Sequence, residues 1–100
     1  KRAIEDYDKA IRLNPQFTEA YHNRGTTYRD LGRYNRAIED YGETIRLNPN
    51  DAEAYFNRSN AYKLQGDKAE AIADFEKFIT LTNNPLWREK ARREIKGLSE

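Results

Sequence analysis

The sequence predicts an all-α architecture in which antiparallel helix pairs stack side by side. Three observations carry this. Segments recur 34 residues apart (14 to 48, 21 to 55, 37 to 71). Asn14-Pro15 returns as Asn48-Pro49, and Tyr21-His22-Asn23-Arg24-Gly25 returns as Tyr55-Phe56-Asn57-Arg58-Ser59. Ala37-Ile38-Glu39-Asp40-Tyr41 returns as Ala71-Ile72-Ala73-Asp74-Phe75, foreshadowed by Ala3-Ile4-Glu5-Asp6-Tyr7. A fixed period of this size marks stacked supersecondary units in place of one globular core. The second observation is that apolar residues between the Pro and Gly punctuation fall at helical spacing. The third is that no period-2 run of β-branched residues reads as a strand.

The elements follow in order. Lys1 to Leu13 reads as a helix, with Ile4, Tyr7, Ala10 and Ile11 on one stripe, and Pro15 ends it. Thr18 to Leu31 is a second helix carrying Ala20, Tyr21, Gly25 and Tyr28 on its inner side, with Gly32 placed for a left-handed cap. Tyr34 to Leu47 is its partner, facing in with Ala37, Ile38, Tyr41 and Ile45, and Asn48-Pro49-Asn50-Asp51 is the turn out. Ala52 to Gln65, Gly66-Asp67 and Lys68 to Leu81 repeat this plan. Pro85 suits a first helical turn and opens a last helix to about Leu98. Trp87, Ala91, Ile95 and Leu98 make its apolar stripe, and its other face is charged, as a terminal capping helix requires. The units are therefore 1–13, the second helix of a truncated repeat; 14–47 and 48–81, two full repeats; and 82–100, a cap.

Composition excludes several classes. The chain has no cysteine, hence neither disulfides nor thiolate metal sites, and its net charge of +1 sets up no field for nucleic acid or acidic membranes. No apolar run approaches the roughly 20 residues that span a bilayer. A soluble chain is expected. Its compartment is not fixed, with the cytoplasm the default. The chain begins at Lys1 and contains no methionine, which points to a piece of a longer protein.

Tyr21, Arg24-Gly25, Tyr28, Ala37, Tyr41 and Pro49, echoed by Tyr55, Arg58-Ser59, Tyr62, Ala71 and Phe75, match a known 34-residue helix-turn-helix pattern. The chain resembles the tetratricopeptide repeat (TPR) family over essentially its whole length. The resemblance implies a right-handed superhelical α-solenoid of about two and a half repeats plus a cap, acting as a non-enzymatic protein-interaction module without cofactors. Gly25, Ser59, Ala37 and Ala71 are small where paired helices must approach closely. The pattern is departed from at Asn83, where proline is delayed to Pro85; at Gly42 within a helix; and at Phe78, which replaces Thr44 and Ala10 and is expected to pack on Trp87.

In TPR proteins the first helix of each unit lines a concave groove that holds partner peptides. The residues left over from the inner stripe there are Glu19, His22, Asn23, Thr26, Arg29 and Asp30, then Glu53, Phe56, Asn57, Asn60, Lys63 and Leu64. Asn23 and Asn57 stand out, because an amide in a groove offers both a donor and an acceptor to a partner's backbone. The alternative is that each bonds a neighbouring turn or helix end. The Tyr-x-Asn-Arg-Gly/Ser wording is also similar to the middle repeat of TPR domains that clamp the carboxylates of heat-shock chaperone tails. The basic residues such a clamp needs on flanking helices are missing, so a full clamp is not expected here.

Arg24 and Arg58 stand where the family pattern has leucine, and Asp6, Asp40 and Asp74 recur on the second helices, so an Arg–Asp ladder is expected between helices. His22 is the only histidine, which argues against a metal site and a catalytic triad. Trp87 is read as the plug of the last interface. Two rival functions remain. One is a structural or self-associating segment, whose under-covered flank would be Ile4, Tyr7 and Ile11. The other is nucleic-acid or acidic-partner contact through the basic stretch Arg88 to Lys96, although no aromatics interleave it as single strands would want.

Overall fold

The computed structural model describes residues 2–100, so Lys1 lies outside the described residues. Six helices follow one another: α1 Arg2–Leu13, α2 Thr18–Asp30, α3 Tyr34–Leu47, α4 Ala52–Gln65, α5 Lys68–Leu81 and α6 Pro85–Ser99. There is no strand among the described residues. Each helix packs on the next in sequence, α2 on α3 and α4 on α5 within pairs, with α1, α3 and α5 abutting the helix that follows. The result is an elongated α-solenoid measuring 42 × 26 × 19 Å.

Local chemistry sets the turns. α2 gives way at Leu31 to Gly32, whose φ of +79° is left-handed, and Gly66 after α4 repeats this at +93°. Each turn is closed by a backbone bond back into the helix, Arg33 N–H to Tyr28 O at 2.8 Å and Asp67 N–H to Tyr62 O at 2.9 Å. The Asp51 side chain caps α4 by accepting from Ala54 N–H. Asn84 Oδ1 accepts from both Leu86 and Trp87 N–H ahead of the Pro85 first turn, so the late proline becomes a clean helix start.

The apolar interior is divided, as stacked units require. One cluster joins Tyr28, Ala37, Tyr41 and Ala61, with Ile4 and Ile38 against it. The other joins Phe75, Phe78 and Ala91, with Tyr55, Phe56, Ile95 and Leu98 against it. Gly25 is where α2 and α3 meet: a Cβ there would stand 3.1 Å from Tyr41 Cε1 and 3.2 Å from Asp40 Cβ. Its echo Ser59 is fully buried and turns its hydroxyl back to the Phe56 carbonyl at 2.8 Å, so the α4–α5 crossing has room that α2–α3 lacks.

One expectation about the ends needs correction. Trp87 is not a buried plug, being 44% exposed; the fully buried residue of α6 is Ala91. At the other end Ile4, Tyr7 and Ile11 are each half-buried, Ile4 against Tyr28. The most exposed large apolar residues there are Leu13 at 78% and Leu31 at 54%, which sit at helix ends that no neighbour covers.

Candidate functional site

Arg24 and Arg58 fix the repeat geometry on one side of α2 and α4. Arg24 donates to both carboxylate oxygens of Asp40, at 2.9 and 2.8 Å, and to Asp8 at 2.7 Å, tying α2 to α3 and α1. Arg58 makes the same two-pronged bond to Asp74, at 2.7 and 2.9 Å. Each guanidinium also lies over a tyrosine of its own helix, Arg24 over Tyr21 and Arg58 over Tyr55 and Tyr62. Hydrogen bonds to Asp40 and Asp8 hold Arg24 protonated above its already high ordinary value, against burial. Burial pushes the Asp40 carboxyl up, and Arg24 offsets only part of this. The two partners respond differently because Arg24 has two carboxylates, whereas nearly buried Asp40 has one guanidinium and shares it. Asp6, expected as a rung, is exposed and in no ion pair among the described residues; Asp8 takes that place.

A different side of the same helices faces an open groove. Thr18, Glu19, His22 and Asn23 of α2, with Asp51 and Glu53 at the start of α4, line a cavity of about 460 Å³. Ala52, Glu53, Phe56 and Asn57 of α4, with Phe78, Thr82 and Trp87, line another of about 390 Å³. Glu53 borders both. The Asn57 amide donates across to His22 Nε2 at 3.4 Å, which joins α2 to α4 and requires the His22 proton on Nδ1. The Asn23 amide has no side-chain partner among the described residues.

Four of the remaining expected groove residues, Thr26, Arg29, Asp30 and Lys63, are engaged with other side chains. Thr26 bonds the Tyr41 hydroxyl at 2.9 Å, and burial pushes that phenol's pKa up. Arg29 pairs with Asp30 at 3.6 Å, and Lys63 with Glu94 of α6 at 2.8 Å. Asn60 is half-buried, and Leu64, 54% exposed, lines neither cavity. Phe56 lines the groove as the hub of a cluster, its ring 5.7 Å from Phe75, 4.9 Å from Phe78 and 5.3 Å from Trp87 between centroids. Phe78 thus meets Trp87 through Phe56. Sequence reasoning missed Thr18, Asp51, Ala52, Phe78, Thr82 and Trp87 as cavity walls. The available signal was the departure of Phe78 and Trp87 from the repeat. No group of His, Asp or Glu suited to a metal occurs among the described residues, and no helix there is long and apolar enough to cross a membrane.

Family profiles described as TPR repeat and tetratricopeptide repeat match residues 25–66, 6–39 and 52–85, together spanning most of the chain. No curated protein matches it by sequence. Solved structures do. The first TPR of Spaghetti (RPAP3), bound to the HSP90 peptide SRMEEVD, is 26% identical with a TM-score of 0.85, covering 97% of this chain and 78% of that one. The second TPR domain of human RPAP3, in complex with the HSP70 peptide SGPTIEEVD, is also 26% identical, with a TM-score of 0.84 and the same coverage. MamA is 34% identical with a TM-score of 0.75, covering 77% of this chain, which spans only 42% of MamA. A 34-residue period, paired helices closed on small residues, and profile matches along the chain converge: this chain belongs to the tetratricopeptide repeat family, a family of protein-interaction modules.

Proposed function

We propose that the chain is a non-enzymatic module that holds an extended partner segment in the groove between α2 and α4, with Asn23 and Asn57 contacting the partner's backbone. The observation that carries this is the pair of adjoining cavities sharing Glu53, lined by Glu19, His22, Asn23, Phe56 and Asn57. RPAP3 relatives with peptides bound support it by fold and family. The repeat units implied are residues 14–47 and 48–81, with 1–13 a half unit and 82–100 the cap. The test is a pull-down comparing wild type with an Asn23→Ala/Asn57→Ala variant. Partners enriched by the first and lost from the second are expected; identical recovery removes the groove assignment.

A second reading is self-association through the N-terminal end. It is favoured by a cavity of about 420 Å³ walled by Ile4, Tyr28 and Leu31 together with Glu5 and Arg33, beside a helix with no buried residue. Light scattering showing a monomer at high concentration, unchanged by Ile4→Glu, eliminates it.

A further inference from the structure

The groove's own chemistry narrows its occupant, on the reading that the groove is the binding site. We infer that the Phe56–Phe78–Trp87 pocket takes one aliphatic side chain of an extended segment, and that Glu53 and its acidic neighbours take a lysine or arginine two residues away on the same segment.

The pocket is apolar and open. Phe56 stands nearly perpendicular to Trp87 at 80°, so the two rings make a corner with Phe78 as its floor. Trp87 stays 44% exposed in spite of that contact, which leaves apolar surface uncovered. At about 390 Å³ the pocket lies at the small end of ligand sites, roughly 300–1,000 Å³, and has room for an aliphatic side chain.

The charge on the walls is of one sign. Glu19, Asp51 and Glu53 line the two cavities, and no lysine or arginine does. None of the three carboxylates is in an ion pair among the described residues. Of the nearby cations, Lys63 pairs with Glu94 and Arg29 with Asp30, while Lys90 over the Trp87 ring at 5.4 Å and Arg88 on the Thr82 carbonyl at 2.9 Å stand against the apolar pocket, with no carboxylate of the groove bound to either among the described residues. The α2 and α4 N-termini offset about half a charge each, leaving roughly −2 on these three carboxylates. An acidic tail such as SRMEEVD would bring like charge into that field. A cation beside an apolar anchor is complementary to it. Residues i and i+2 of an extended segment point the same way, roughly 6.6 Å apart, so one side chain reaches the rings while the other meets Glu53.

The lone tryptophan reports on the pocket directly. The capped peptide acetyl-Gly-Leu-Ser-Arg-Gly-amide, titrated against the whole chain, is expected to change Trp87 emission and to shift Phe56 and Glu53 resonances. Replacing its leucine by alanine is expected to weaken binding at least tenfold, and replacing its arginine by aspartate about tenfold. Glu53→Lys, at an exposed first-turn position, is expected to weaken the arginine peptide about tenfold and to favour the aspartate peptide. Overturning results are no binding of the arginine peptide, equal or tighter binding of SRMEEVD, or indifference to Glu53→Lys. SRMEEVD bound and lost with Asn23→Ala/Asn57→Ala, the arginine peptide remaining silent, overturns the inference while leaving the groove in place; silence of both with no pull-down enrichment removes the groove as well.

Discussion

Gly42 marks a missing contact whose worth can be measured. Arg24 binds Asp40 of the helix after it and Asp8 of the helix before it. Arg58 binds Asp74, but the residue 34 positions after Asp8 is Gly42. A Cβ built on Gly42 would stand 3.8 Å from Arg58 Nη1, with nothing else within 4 Å, so the site has room. Gly42→Ala should stabilise by about 1 kcal/mol from helix propensity alone. That raises the melting temperature by about 4–8 °C for a chain of this size. Aspartate is roughly 0.7 kcal/mol poorer than alanine in a helix interior. The restored carboxylate would return about 0.2–1 kcal/mol, the range of a half-exposed ion pair, since Asp8 itself is 40% exposed at the side chain. Gly42→Asp should therefore come close to Gly42→Ala in thermal and urea unfolding, and the share supplied by the ion pair should fade in high salt. A Gly42→Asp protein that falls short of Gly42→Ala by the full propensity difference would show that the third contact is worth nothing. A loss of stability in Gly42→Ala would refute the packing argument itself.

Gly25 gives the opposite sign. In Gly25→Ala, contacts of 3.1–3.3 Å to Tyr41 and Asp40 outweigh the propensity gain, and a net loss of about 1 kcal/mol is expected in urea unfolding. Arg58→Asp should destabilise by about 3 kcal/mol or more, leaving Asp74 buried beside a like charge; adding Asp74→Arg should restore part of the loss, and adding Asp40→Arg none, because Asp40 bonds Arg24. The last concerns pH. Asp40 binds its proton more tightly folded than unfolded, so its ionisation costs stability as pH rises from its ordinary 3.8 through its raised folded value. The melting temperature of wild type minus that of Asp40→Asn should be larger near pH 3.5 (roughly the unfolded value) than at about pH 7; a difference flat with pH contradicts the assigned burial.

The helices and their pairing were legible because one apolar stripe per segment, punctuated by Pro15, Gly32, Pro49 and Gly66, specifies both period and turn. The Arg–Asp contacts were legible where the sequence repeats itself. They were misread where it does not: Asp8 has Gly42 and Glu76 as counterparts, so a search for echoes passes over it and selects the echoed Asp6. Phe56 shows the other limit. Periodicity places it on the same face as His22, but how far a ring turns inward depends on its neighbours on other helices. Here those neighbours are Phe78 of α5 and Trp87, which the Asn84 cap and Pro85 set in the first turn of α6.

Position and role separate at this pair. His22 and Phe56 occupy equivalent places, yet His22 spends its ring on a bond to Asn57 and an edge contact with Tyr41, while Phe56 builds a pocket. The scaffold contacts leave from another side of the same helices: Arg24 and Arg58 reach α1, α3 and α5, and neither borders the two groove cavities. A substitution at Glu53 therefore touches no rung of the Arg–Asp ladder, and one at Gly42 touches no wall of the groove. Residues more than about 7–10 Å apart with no shared partner combine additively. Gly42→Asp and Glu53→Lys should then act independently, the first on melting temperature and the second on peptide choice. Coupling between them would mean that the ladder also sets the shape of the groove.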